Sequence, residues 1–334
     1  MKSFLALILP LLLLAGTPQP EVRIPDVPVI DLRVGLARDA APGVSLEQGQ
    51  RQAGYLELAR GHVIGAVLPF GSRDQEQKNA TAAFLTLRAA LDSSQRFELR
   101  GCSGRSGRIA TWLALQAPAE LAADPNVVGL WVTRGVRIFA IGSAYDNELV
   151  TAASGLAPGP LTGLTAAGRR VVQAIIAGGA LVDVSDASEL GIDETIALAQ
   201  SAHAAVIATH SNARALADNP SNLSDTQIRQ IAGTGGLIGV TAEHGRLAPG
   251  RSANLQHLVR QIKYLVRVAG AEHVALGIGF ENGVSPVVDF RSAEDFPRLA
   301  ATLAKAGLDR DDIARIFYEN AQRLLCPPRA TLKP

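Results

Sequence analysis

Sulfur and aromatic side chains are scarce in this chain: 334 residues hold 2 Cys, 1 Met and an aromatic fraction of 4%. Two cysteines cannot frame a disulfide-built scaffold, and no Cys-x-x-Cys knuckle is present to hold a structural metal. Excess charge of either sign is missing too, since 32 basic residues face 31 acidic ones. Without a basic block interleaved with aromatics, nucleic acid and anionic membrane surfaces are excluded as expected partners. Close His-x-His and His-x-x-x-His pairs are also absent. What the chain has is bulk apolar content, 47% of residues, enough for one large α/β domain with a substantial core.

Lys2 followed by the apolar run Phe4–Ala15 and the small residues Gly16 and Thr17 has the pattern of an export signal over residues 1–17. The run falls short of the ~20 residues a membrane-crossing helix needs, so no stable span is expected after cleavage and the mature chain is expected to be periplasmic or secreted. A linker over 18–28, a domain over 29–326 and a tail over 327–334 complete the expected layout. Cys102 and Cys326 could pair in an oxidising compartment, but they lie far apart in sequence and are read as free thiols.

Apolar, β-branched runs at Val29–Leu32, Val63–Leu68, Phe97–Leu99, Val136–Ile141, Ala180–Val184, Ala205–Ala208, Leu237–Thr241 and His273–Ile278 give eight candidate strands, with helical patterns between most of them. Alternation of this kind implies parallel strands joined by right-handed crossovers, and eight units at this spacing predict a closed (β/α)8 TIM-like barrel, α/β in class and a single domain. Ser224 and Gln227 form a capping box, with Leu223 and Ile228 placed as its staple, so a helix is expected from Asp225.

Barrel chemistry sits at the C-terminal strand ends. There the sequence presents Asp31 and Arg33, Ser103 and Arg105, Ser143 with Tyr145 and Asp146, Asp183 and Asp186, His210 and Asn212, Glu243 and His244, and Glu281 with Asn282. The predicted pocket is polar and mixed in charge. Glu243 and His244 read equally well as pocket lining or as an exposed loop pair.

The segments Gly163–Ser188, Ala208–Val240 (beginning ATHSNARAL) and His273–Gly283 resemble successive parts of the membrane (renal) dipeptidase family. That resemblance implies a barrel in which a first-strand His-x-Asp, a third-strand glutamate and two later histidines hold two zinc ions, whose bound water becomes the nucleophile for a dipeptide bond. It also implies a homodimer, as family members commonly form one. Position by position, the first-strand pair falls on Arg33 and Gly35, the glutamate on Ser103 or by a one-residue shift on Cys102, and one histidine on Asp186. His210 alone is retained. Three further family positions fall on Ser143, Ser221 and Gly279.

A guanidinium repels a metal ion and cannot ligate one, so the expectation is that Arg33 occupies the metal position and pairs with Asp186. Hence no cofactor is expected, with zinc only if Asp186, His210, Glu281 and Cys102 rebuild a mononuclear site. The readings left open are a metal-free relative of the dipeptidases, an active metallodipeptidase or amide hydrolase with a rebuilt site, a binding module in which Arg33, Arg105 and His210 receive a short acidic peptide or small carboxylate, and a Ser103–His210–Asp186 triad.

Overall fold

The computed structural model describes residues 26–37, 46–48, 52–71, 79–99, 107–117, 119–154, 162–250, 252–281 and 287–326. The expected export signal, most of the linker and the C-terminal tail lie outside these residues. Nine strands form one parallel sheet: β1 Val29–Asp31, β2 Val63–Phe70, β3 Phe97–Leu99, β4 Ile109–Gln116, β5 Val136–Ala140, β6 Leu181–Asp183, β7 Val206–Ala208, β8 Leu237–Val240 and β9 Val274–Leu276. Their order is β2-β1-β9-β8-β7-β6-β5-β4-β3, and a further β2–β4 pairing closes eight of them into a barrel. The (β/α)8 TIM-like expectation is met.

One strand assignment is corrected. Phe97–Leu99, taken from sequence as the third barrel strand, pairs only with the start of β4 and stands outside the ring. The third barrel strand is β4, whose run IATWLALQ pairs with β2 over six residues and then with β5.

Side chains inside the barrel, among them Ile30, Val67, Trp112, Ile138, Leu181 and Ile207, form one buried cluster, and the strand faces turned to the surrounding helices form a larger one. Several helices open with side-chain caps that satisfy early amides: Thr165 accepts from Gly168, Ser188 from Gly191 and Asn254 from His257. The capping box of Ser224 and Gln227 is present, and its helix runs Asp225–Gly233. Between β7, β8 and β9 the backbones approach so closely that a Cβ on Gly239 or Gly277 would fall 2.1 or 1.7 Å from the Thr209 carbonyl oxygen. Glycine at both positions keeps the wall beside Thr209 and His210 tight.

The helix Asn320–Leu325 packs Ala321 and Leu325 into the inner cluster, and Cys326 follows it. Cys326 is disulfide-bonded, which corrects its expected state as a free thiol. The only other cysteine, Cys102, lies outside the described residues. Among the described residues no helix is long and apolar enough to cross a membrane.

Candidate functional site

Because side chains alternate across a strand, the residue two positions beyond each inward apolar residue closes the top layer of the barrel interior. This places Gln116 beyond Ala114, Ala140 beyond Ile138, Asp183 beyond Leu181 and Thr209 beyond Ile207 at the C-terminal end. Register confirms a row across three strands, with Gln116 opposite Ala140 and Ala140 opposite Asp183.

A buried polar chain lies on this layer. Arg33, 3% exposed, places Nη1 3.3 Å from Nδ1 of His210, which is also 3% exposed. A guanidinium has donors only, so Nδ1 accepts and the ring proton sits on Nε2, which donates to Asp186 Oδ2 at 3.1 Å. The other oxygen of Asp186 takes Arg246 Nη2 at 2.6 Å; Arg246 also donates to the His210 carbonyl at 3.1 Å and pairs through Nε with Glu243 at 2.9 Å. Behind His210, Thr209 Oγ1 lies 2.9 Å from Nδ1 and donates to Asp183 Oδ2 at 2.5 Å. Asp183 Oδ1 accepts the amides of Ser185 and Thr209 as well.

The expected Arg33–Asp186 pair is therefore corrected: His210 stands between the two, and Arg246 is the cation on Asp186. Arg246 enters from the short helix His244–Leu247 after β8, 60 residues along the chain from its partner. Nothing in the local sequence marks it. Asp186 sits at φ +66°, a left-handed conformation that aspartate tolerates better than most side chains and that turns its carboxylate to both partners.

Burial and charge set the protonation states. Burial pushes the His210 pKa down to about 4, with Arg33 adding to the effect, so the imidazole is neutral near pH 7. For Asp186 burial alone would raise the pKa, but Arg246, helped by His210 and Arg33, holds it well below the usual carboxylate range. Asp31 at the end of β1 is the reverse case. Burial raises it to about 7 against two amide donors, Arg33 and Ile278, both on Oδ1; its Oδ2 is buried with no hydrogen bond.

These residues do not fit a pair of zinc ions. Of the implied ligands only the His210 imidazole remains; its Nδ1 faces a guanidinium, its Nε2 is committed to Asp186, and both Asp186 oxygens are taken. Among the described residues no group of three or more His, Cys, Asp or Glu side chains could hold a metal.

The other predicted positions separate into scaffold and surface. Ser103 and Arg105, with Cys102, lie outside the described residues, in the connection from β3 to β4. They do not follow the third barrel strand, as the sequence reading assumed; Gln116 occupies that strand end, with glutamate's shape and no charge. Ser143 is half-buried on the turn after β5 and donates to the Tyr145 carbonyl at 2.5 Å. Asn212 is fully buried and ties the end of β7 to Thr241 and Arg246 through backbone contacts of 3.1 to 3.2 Å. Of the pair after β8, Glu243 anchors Arg246, while His244 accepts the Ala253 amide at 3.1 Å and fixes its loop. Glu281, at φ +57°, accepts the amides of Gln52 and Ala53. A separate cavity bordered by Tyr55, Glu98, Arg108 and Trp112 opens at the N-terminal strand ends, away from this chain of contacts.

The family described as membrane dipeptidase, peptidase family M19, matches residues 27–327. A Klebsiella pneumoniae protein described as uncharacterized in the pqqA 5' region is 36% identical over 200 residues, 57% of this chain and 72% of its own length. The dipeptidase verJ of Clonostachys rogersoniana is 25% identical over 222 residues, covering 66% of this chain and 56% of its own. For dipeptidase 3 of Mus musculus the match is 26% over 164 residues, 49% of this chain and 33% of the mouse protein. The match thus spans little more than half of the fungal relative and a third of the mouse one. Among solved structures, the probable dipeptidase PvdM of Pseudomonas aeruginosa superposes with a TM-score of 0.78 at 21% identity, covering 90% of this chain and 96% of that one. A Rhodobacter sphaeroides metallo peptidase, liganded with a phosphinate mimic of L-Ala-D-Ala, gives 0.73 at 20% identity over 90% and 98%. At these identities the structural likeness speaks for the barrel.

Proposed function

Because the chain belongs to the membrane dipeptidase family, we propose that it keeps the family's barrel and its peptide-sized site at the C-terminal strand ends, without zinc and without metal-dependent hydrolysis. The observation that carries this reading is the closed chain Arg33–His210–Asp186–Arg246, which puts two guanidinium groups around the one retained imidazole. A cation pair in that place does part of the electrostatic work of the missing ions: it keeps Asp186 ionised and His210 neutral. It supplies no bound hydroxide, so no nucleophile for a peptide carbonyl arises from these residues. The role left to the site is binding of a short peptide or small carboxylate. Export is part of the same proposal; the disulfide at Cys326 suits an oxidising compartment.

One observation favours a second reading. His210 Nε2 and Asp186 Oδ2 are 3.1 Å apart, a spacing that two ligands of one tetrahedral zinc also adopt. Accepting an ion there requires Asp186 to loosen from Arg246, and the described residues offer no third donor. Dipeptide hydrolysis by the purified chain, with and without added zinc, separates the two. The proposal predicts no turnover in either condition. Hydrolysis that is lost with chelator and lost in His210→Ala would overturn it.

A further inference from the structure

Gln116 is the one side chain of the top layer that the described contacts leave unexplained. It is 8% exposed, at the end of the third barrel strand, and no hydrogen bond to its amide occurs among the described residues. Buried polar groups are normally satisfied by protein or by solvent, so a mostly buried amide without a protein partner has both its donor and its acceptor free for a ligand. Unlike the sealed Asp31 Oδ2 and Trp112 Nε1, neither amide atom of Gln116 is closed off from solvent. The group is therefore still reachable from solvent at the C-terminal strand ends.

The neighbouring positions make room for a ligand there. Gln116, Ala140 and Asp183 lie in register on adjacent strands, so Gln116 and Asp183 start about 10 Å apart with only a methyl group between them. On the far side of that gap stand Thr209 and His210. On the near side Gly71, at φ +98°, brings the backbone after β2 against Leu115 and Gln116 without a side chain to fill the space.

We infer that Gln116 is a specificity-determining residue that reads a terminal carboxamide in preference to a free carboxylate. This rests on the metal-free binding function proposed above and names its ligand class. A carboxamide presents a donor and an acceptor side by side, and a terminal carboxamide on the ligand answers both with its own carbonyl and N–H. A carboxylate satisfies the donor but sets its lone pairs against the Gln116 oxygen. The local charges point the same way, since Arg33 is engaged with His210 and Arg246 with Asp186 and Glu243.

The test uses the full mature chain and two probes, N-acetylalanine amide and N-acetylalanine, with affinities measured by calorimetry or by NMR shifts. In the native chain the amide binds saturably and more tightly than the acid. In Gln116→Met, which keeps the length and loses the amide, and in Gln116→Leu, amide affinity falls about tenfold, the scale of one hydrogen bond to a buried polar partner, and the preference over the acid disappears. If the leucine variant fails to fold, the methionine variant carries the comparison. No amide binding to the native chain, undiminished binding in the variants, or tighter binding of the acid overturns the assignment. Zinc measured in the same preparation separates the layers of argument: stoichiometric zinc defeats the metal-free reading itself, whereas amide binding indifferent to Gln116 in a zinc-free chain defeats only this inference.

Discussion

At the scale of single residues, Asp31 and His210 are both fully buried and titrate in opposite directions. Asp31 has its pKa near 7 in the folded chain against an ordinary 3.8. Between those values the folded state holds a proton that the unfolded chain has lost, so this group's contribution to stability falls as pH rises through the window. His210, near 4 against 6.5, behaves the other way: the unfolded chain binds the proton first, and stability falls as pH drops from 6.5 toward 4. Asp31→Asn removes the first effect and leaves the second. The melting temperature of Asp31→Asn relative to the native chain should therefore rise between about pH 5 and about pH 8. A pH-independent difference would mean that Asp31 does not titrate as a buried acid. Strand-end logic made Asp31, Arg33, Asp186 and His210 visible in the sequence, because each lies within two residues of the end of an apolar run. It left Arg246 and Gln116 unseen. Arg246 stands in a short helix and meets Asp186 only through the closed barrel, and Gln116 follows a run that was not recognised as a strand.

At the scale of elements, that run is instructive. All eight residues of Ile109–Gln116 are buried, so no polar–apolar alternation signals a strand, and its alanines and leucines suit a helix as well. The next candidate, Phe97–Leu99, took its place in the sequence reading and carried the third strand end to Ser103. The remaining strands were legible within a residue or two because β-branched runs bounded by turn residues mark them. Loop and short-helix contacts were not, since they depend on which strand ends meet. The short helix His244–Leu247 shows the energetic side of this. It delivers Arg246 to Asp186 in a setting where both are largely buried. Arg246→Met should destabilise the fold by about 3–5 kcal/mol, the cost of leaving a buried carboxylate without its cation. Adding Asp186→Asn, which tolerates the left-handed backbone, should recover part of that loss. Denaturant titration of the two variants checks this, and equal destabilisation would show that Arg246 acts through packing alone.

At the scale of the whole molecule, the chain keeps the barrel of its family, and the charges at the barrel mouth differ from those that the family resemblance implies. The closed ring of eight strands, the capped helices and the close approach of β7 to β9 preserve the shape around His210. Within that shape the substitutions agree with one another: a guanidinium beside the retained imidazole, a carboxylate where an imidazole is implied, a second guanidinium that neutralises it, and an uncharged amide at the third strand end. Such a set balances its own charges and has no need of an ion to hold it together. The most direct test is the zinc content of the purified mature chain, measured by elemental mass spectrometry after incubation with zinc and removal of the excess. The account predicts no stoichiometric zinc; close to two ions per chain would contradict it.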